Sequence, residues 1–112
     1  MRRIKRNVLE VYNAEETLLF CVEEQNKNGV FQMKIQGRIT NEVAYELEDE
    51  LWAVLLSCKQ VEVELSEVTY MASAAAKALL SAVQMAEEKE DITLRIFGAC
   101  GAVQELLNEV GV

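Results

Sequence analysis

The sequence contains no histidine and no proline, and only two of its 19 acidic residues, Asp49 and Asp91, are aspartates. Histidine is the usual general base near neutral pH and the commonest metal ligand, so its absence argues against the most frequent catalytic and metal sites. The three cysteines, Cys21, Cys58 and Cys100, are odd in number and widely spaced, which matches neither a disulfide framework nor a zinc pattern. We therefore expect buried, reduced thiols, no metal or cofactor, and a binding module rather than an enzyme.

Long apolar runs and widespread positive charge are lacking too. No run approaches the ~18 residues that a membrane-spanning helix needs, and residues 7–13 lack the apolar segment of a signal peptide. We therefore expect a cytoplasmic protein without membrane insertion. The net charge is −8, and residues 7–112 hold all nineteen acids but only seven cations. Because nucleic-acid binding depends on neutralising phosphates with Lys and Arg, this acidic body excludes nucleic acid as a partner.

What is present fits one globular domain of 112 residues, 51% of them apolar. Residues 1–17 read as an N-terminal extension with a basic tip, and residues 18–112 as the domain. Its apolar periodicity predicts the element order β-β-α-β-α-β-α, with a hairpin at the polar link 25–29. The strands are predicted at 18–24, 30–36, 61–65 and 92–97, and the helices at 41–57, 73–89 and 101–110.

The strands also predict how the layers are arranged. Residues 61–65 alternate apolar with acidic side chains, which favours a sheet that packs helices on one face and exposes the other. Right-handed crossovers over one face place the strands in the order 1-2-3-4. The predicted fold is thus a single α/β domain with a four-stranded mixed sheet. On the open, solvent-exposed face of this sheet, Glu62 and Glu64 would lie between Lys34 and Arg95, so that neighbouring strands carry opposite charges.

Three segments in order carry a family resemblance. Residues 64–75 read Glu-Leu-Ser-Glu-Val-Thr-Tyr-Met-Ala-Ser-Ala-Ala, residues 35–40 read Ile-Gln-Gly-Arg-Ile-Thr, and Phe97-Gly98-Ala99 precedes an apolar-patterned helix that ends at Gly111. Together they resemble the STAS domains, the anti-sigma factor antagonist family, whose signature is roughly Asp-Leu-Ser-x-Val-x-Phe-Met-Asp-Ser-Ser-Gly. The resemblance covers most of residues 18–112 and implies the same sheet with helices on one face.

The departures from the family pattern concern its chemistry. In the family, the second serine of the signature is phosphorylated by a partner kinase, and that position is Ala74 here. Thr40 stands where the family usually has Asp, Ala72 replaces the Asp of the signature, and Ala75 replaces its Gly. A phosphoryl group cannot be placed on Ala74, so this phosphosite is degenerate.

The resemblance implies a protein-interaction module of bacterial signalling that binds an anti-sigma factor or serine kinase-like partner. Its partner-binding loop would comprise Thr69, Tyr70, Met71, Ala72, Ser73, Ala74 and Ala75. Alternatives within the family are a non-regulated scaffold and a subunit of a lipid or anion transport complex. From a different class, a small-ligand sensor would rest on residues 98–101, whose amides could hold an anion beside Cys100.

Ser73 matches the first serine of the signature and has two interpretations. It is a candidate displaced phosphosite, because a phosphate at a helix N-terminus is electrostatically favourable. The structural alternative is a helix N-cap, whose side-chain oxygen accepts a hydrogen bond from a first-turn amide and contributes ~1 kcal/mol.

The first predicted helix carries a second apolar stripe opposite its core face. Tyr45, Trp52 and Leu56 follow helical spacing there, interleaved with Glu48 and Asp49. Aromatic residues on a polar face are enriched at binding sites, so this stripe is a candidate second interface, for a partner or for a homodimer. The alternative is that residues 1–17 cover it.

Overall fold

The computed structural model describes the backbone of residues 2–5, 8–12 and 18–112, and the side chains of residues 8–12 and 21–112. Within these ranges the chain forms six strands and three α-helices, with a short 3-10 turn, Asn41–Val43, before the first helix. The strands are β1 (Arg2–Lys5), β2 (Val8–Tyr12), β3 (Leu18–Lys27), β4 (Val30–Ile39), β5 (Gln60–Met71) and β6 (Thr93–Phe97). The helices are α1 (Ala44–Ser57), α2 (Ser73–Glu88) and α3 (Gly101–Val110).

The strands form one mixed sheet in chain order, β1-β2-β3-β4-β5-β6. The pairs β1–β2, β2–β3 and β3–β4 are antiparallel, whereas β5 lies parallel to both β4 and β6. The predicted order of the four later strands is confirmed, but the predicted strand number was too low. Two strands from the N-terminal segment extend the sheet beyond β3, and the boundary predicted after residue 17 falls at residues outside the described ranges.

Strand β2 joins the sheet because its side chains alternate. Leu9 and Val11 are buried in the core, while Val8, Glu10 and Tyr12 are only half-buried. Its register pairs Leu9 with Val22, so the apolar face of the sheet continues across the added strand. Short alternation of this kind was present in the sequence and is the signal that could have identified β2.

The core lies on one face of the sheet. The buried strand residues point toward the helices, and the residues between them lie on the opposite, open face. Helices α1 and α2 pack against each other, and α3 packs against α2 and β5. The fully buried side chains with the largest volumes come from both layers: Met33, Ile35, Ile39, Leu47, Leu51, Leu55, Leu65 and Leu79.

The buried face of α2 consists mostly of alanine. Five alanines and one leucine of this helix are buried: Ala75, Ala76, Ala78, Leu79, Ala82 and Ala86. Small side chains let the helix axis approach the sheet and α1 closely, and alanine has the highest helix propensity. The alanine run is therefore used for packing along most of α2.

The open face carries the charge pairing that the strand order predicts. Arg95 Nη1 lies 3.3 Å from Glu62 Oε2, and Gln32 Nε2 donates a hydrogen bond of 3.2 Å to Glu62 Oε1. Lys34 is in register with Glu64 on the neighbouring strand. Because the Arg95 side chain is 63% exposed, its pair with Glu62 contributes no more than ~1 kcal/mol.

Two element boundaries differ from the predictions, and the second of them affects the site. The predicted link 25–29 is a two-residue turn, Asn28–Gly29, with φ of 55° and 82°, because an Asn-Gly pair provides the positive φ values that a tight hairpin needs. Strand β5 was predicted to end at Leu65, but it continues to Met71. Its final residues pair with the end of β4, so most of the predicted loop is strand.

We predict that Gly98→Ala destabilises the fold more than Gly29→Ala. Both glycines have similar φ, 85° and 82°, so both changes impose the cost of a left-handed alanine, ~1–2 kcal/mol. A Cβ at Gly98 would also lie 3.2 Å from the backbone N of Ser66, whereas a Cβ at Gly29 would meet nothing within 4 Å. Urea unfolding of both variants measures the difference, and equal losses of unfolding free energy would contradict the close approach.

Candidate functional site

The candidate site is the junction where β5 ends and α2 begins. Residues 69–71 are the end of the strand, Ala72 is the single linking residue, and the helix begins at Ser73. The segment predicted as a partner-binding loop, Thr69–Ala75, therefore has regular backbone on both sides of one residue. We call it the junction segment.

The junction segment divides into outward and inward side chains. Four side chains are exposed: Thr69, Tyr70, Ser73 and Ala74. The other three are buried beneath them: Met71, Ala72 and Ala75. Tyr70 is 46% exposed, although tyrosine side chains are usually more buried than this. The exposed set forms a surface, and the buried set fixes that surface to the core.

Contacts with the end of β4 hold the strand side of the junction in place. The Ala72 amide donates to the Ile39 carbonyl oxygen at 2.8 Å, which continues the ladder past the last strand residue. The Thr69 hydroxyl donates to the Gly37 carbonyl oxygen at 3.3 Å. The Arg38 guanidinium carbon lies 5.3 Å from the centre of the Tyr70 ring, at the distance of a cation–π contact.

Backbone geometry caps α2. Ala72 is the N-cap residue, and its carbonyl oxygen accepts bonds from the amides of Ala75 at 3.0 Å and Ala76 at 3.1 Å. No side chain makes a cap hydrogen bond at this end. The interpretation of Ser73 as the N-cap was therefore wrong: β5 remains paired up to Ala72, so Ser73 is already the first helical residue and its side chain is exposed.

Ala74 occupies the second position of α2 and is exposed. A serine hydroxyl there would be accessible from solvent, but the alanine methyl group cannot accept a phosphoryl group. Beside the junction, Thr40 Oγ1 is buried and has no hydrogen-bond partner among the described residues. A buried hydroxyl without a partner costs ~1–3 kcal/mol. The position where the family usually has Asp is thus polar but not charged.

The second predicted surface is exposed. Tyr45 is 72% exposed, Trp52 42% and Leu56 66%, all on the side of α1 that faces away from the sheet. The proposed cover was the N-terminal segment, but its described residues, 2–5 and 8–12, lie in the sheet beyond β3. Among the described residues, nothing from that segment covers this stripe.

The three cysteines are free, as predicted, but the prediction that they are buried is wrong for all three. Cys21 and Cys58 are half-buried, and Cys100 is exposed at the N-cap of α3. The neighbouring glycines have positive φ, 85° at Gly98 and 59° at Gly101, which shapes the chain before α3. Cys21 lies on the open face of the sheet, and its Sγ contacts Gln36 Oε1 at 3.7 Å.

A metal site or a membrane-spanning helix would indicate other classes of function. No group of three or more His, Cys, Asp or Glu side chains has an arrangement that could hold a metal ion in the described part of the chain. Within the same residues, no helix is both long enough and apolar enough to cross a membrane.

A mixed sheet covered on one face by helices, with an exposed strand-to-helix junction at the carboxyl end of a parallel strand, defines a small one-faced α/β domain. The family model described as "Mlab, STAS domain" matches residues 22–112. The chain therefore belongs to the STAS domain family. No curated protein matches the chain.

Solved structures share this fold. An anti-sigma factor antagonist from Mycobacterium paratuberculosis superposes with a TM-score of 0.71 at 19% identity, covering 90% of this chain and 83% of that one. The unphosphorylated anti-sigma factor antagonist SpoIIAA gives 0.66 at 8% identity, with 80% of each chain covered. A STAS-domain antagonist from Rhodobacter sphaeroides gives 0.54 at 19% identity, covering 71% of this chain and 87% of that one.

We predict that Cys21 is alkylated more slowly than Cys100 at pH 8 to 9. Burial, with smaller contributions from Glu23 and Glu10, raises the pKa of the Cys21 thiol, so less of the reactive thiolate is present at a given pH. The raised pKa also means that the folded state favours the protonated Cys21 thiol. The stabilisation of the fold by this thiol is therefore complete at neutral pH and is lost as the pH rises through the raised pKa. Peptide mapping after a short iodoacetamide pulse measures both sites. A Cys21 that reacts as fast as Cys100 would contradict the prediction.

Proposed function

We propose that this chain is a cytoplasmic protein-interaction module of signalling, which binds an anti-sigma factor or serine kinase-like partner through the junction segment. One observation carries the proposal: the four outward side chains of the junction segment form an exposed surface on a backbone fixed by the β4–β5 ladder. A preorganised surface loses little conformational entropy when a partner binds, so even a few side chains can support affinity. The anti-sigma factor antagonists with the same fold support a protein as the partner.

The alanine at position 74 determines how this module would be regulated. Phosphorylation adds close to two negative charges and three acceptor oxygens, and such a group on a contact surface can stop a partner from docking. Ala74 is exposed but has no hydroxyl, so a partner kinase cannot change the surface at this position. The proposed module therefore binds permanently, and its regulation would depend on how much protein is present.

We predict that Ala74→Glu weakens partner capture while leaving the fold intact. A glutamate in the first turn of α2 is favourable to the helix dipole, so the variant should be at least as stable as the wild type. The added charge and bulk lie on the proposed surface. In a pull-down from the native lysate, with partners identified by mass spectrometry, we expect recovery of the partner to fall about tenfold, as for a disrupted contact centre.

The matched control is Ala102→Glu. Ala102 is also exposed and is also the second residue of its helix, α3, so the two variants differ only in location. We expect this control to capture the same partners as the wild type. Equal recovery with Ala74→Glu and Ala102→Glu would remove the junction segment as the contact, whichever partner is captured.

A second candidate function is a subunit of a lipid or anion transport complex. The observation that favours it is the matching family model, described as "Mlab, STAS domain" rather than by an anti-sigma factor antagonist, together with the missing hydroxyl at position 74. The same pull-down separates the two functions. Capture of an ATPase-fold kinase supports the signalling module, whereas capture of transport components supports the subunit.

We predict that no phosphate is present on Ser73. The side chain of Ser73 is exposed and makes no cap hydrogen bond, so it is accessible to a kinase. Whether Ser73 is phosphorylated therefore depends on the specificity of the partner kinase. In the family it is the other position, here Ala74, that is phosphorylated. Phosphopeptide mapping of protein isolated from its own cells tests this, with Ala74→Ser as the positive control. A phosphate on wild-type Ser73 would overturn the proposal that the switch is absent.

A further inference from the structure

The exposed stripe of α1 borders a groove between α1 and α2. The groove has a volume of about 420 Å³. Trp52 and Leu56 form its wall on α1, and Gln84, Met85, Glu88 and the C-cap residue Lys89 form its wall at α2. Its apolar surface comes from the largest exposed apolar side chains of the helical layer. Together with Tyr45, which lies two turns before Trp52, these residues form what we call the α1–α2 groove.

Acidic residues surround this groove. Helix α1 contains four acidic residues and no basic one, and two of them, Glu48 and Asp49, are interleaved with the apolar stripe. On the other side Glu88 and Lys89 both line the groove, and Glu87, Glu90 and Asp91 are exposed nearby. The groove thus combines apolar walls with a mostly negative rim, in which Lys89 is the one cation of residues 86–91.

The helix dipoles add to the negative potential. Because α1 connects the parallel strands β4 and β5, and α2 connects the parallel strands β5 and β6, the two helices run in the same direction. Their C-termini therefore lie at the same end of the groove. Neither helix has a basic residue in its last turn, and Lys89, the C-cap residue of α2, is the one cation directly at these two ends, so the negative partial charges there are only partly offset.

This charge pattern selects the occupant. In a homodimer with a two-fold axis, the groove would pack against its own copy and bring Glu48, Asp49 and Glu88 of both chains together. Like charges placed opposite each other destabilise an interface, which disfavours a second copy. A partner with positive charges around an apolar stripe would neutralise the rim and bury Trp52 and Leu56.

We propose that the α1–α2 groove binds a basic amphipathic helix of a partner protein. The exposed stripe from Tyr45 to Leu56 spans ~17 Å along α1, which equals about three turns of a docked helix. Apolar side chains of that helix at i, i+4 and i+7 would contact Trp52 and Leu56, and flanking Lys or Arg side chains would face Asp49 and Glu88. This surface is separate from the junction segment and does not depend on the function proposed for it.

The test uses full-length protein and two synthetic helical peptides. The first is an 18-residue peptide of leucine and lysine with the lysines flanking a leucine stripe, and the second replaces every lysine with glutamate. Trp52 is the only tryptophan of the chain, so its emission reports the groove directly. We expect the leucine–lysine peptide to shift the Trp52 emission to shorter wavelength and to protect it from acrylamide, and the leucine–glutamate peptide to do neither.

Charge variants separate specific docking from general attraction to an acidic protein. We expect Asp49→Lys to weaken binding of the leucine–lysine peptide about tenfold. Glu105→Lys makes the same change of net charge at an exposed position of α3 and should leave binding nearly unchanged. Leu56→Ala should also weaken binding, because truncating a central apolar contact commonly costs tenfold or more.

Three results would overturn the proposal. Equal weakening by Asp49→Lys and Glu105→Lys would mean that the peptide binds the net charge rather than the groove. Binding of the leucine–glutamate peptide with similar affinity would mean that the rim does not select the partner. Sedimentation of the wild type as a dimer, with Trp52 emission that shifts on dilution and does not respond to the leucine–lysine peptide, would identify a second copy as the occupant. The Ala74→Glu variant should bind the leucine–lysine peptide like the wild type, because the groove is separate from the junction segment. A negative result for the groove would therefore not contradict the function proposed for the junction segment.

Discussion

The parallel pairing of β4 with β5 is the interaction on which the position of every exposed side chain at the junction depends. The ladder begins at Phe31 and Val61, continues to Ile39 and Met71, and ends with the bond from the Ala72 amide to the Ile39 carbonyl oxygen. Because the chain is held as a strand until Ala72, α2 starts at one fixed residue and in one direction. A loop at this place would allow the helix start to vary, and the ladder removes that freedom.

Alanine serves two purposes along α2, and the two are physically distinct. On the inner face, Ala75, Ala78 and Ala82 are buried where larger side chains would push the helix away from α1 and the sheet. On the outer face, Ala74 contacts solvent and its size is not limited by packing. Packing explains the inner alanines. Packing does not explain Ala74, and the proposed reason for it is that this surface does not receive a phosphoryl group.

The sequence predicted those parts of the fold in which the spacing of apolar residues matches one type of secondary structure. The bounds of α3 and the order of β3 to β6 were predicted correctly, because the strands alternate clearly and right-handed crossovers leave one arrangement. The end of β5 was missed because its buried residues, Leu65, Val68 and Met71, are spaced by three. Two register shifts against β4 produce this spacing, and such shifts depend on a partner strand that a single sequence does not show. The junction segment was found through the family resemblance, but only the structure shows which of its side chains are exposed.

The strand order has a consequence for how the molecule is made. Every strand is hydrogen-bonded to the strand that precedes it along the chain, so no strand has to insert between two that are already paired. A chain emerging from the ribosome can therefore build the sheet by adding each strand to the newest edge, with each helix covering the strands behind it. Pairing partners close in sequence keep the loop-closure entropy of each step small. Synthesis and assembly can therefore proceed in the same direction, and α2 precedes the last edge strand, β6, along the chain.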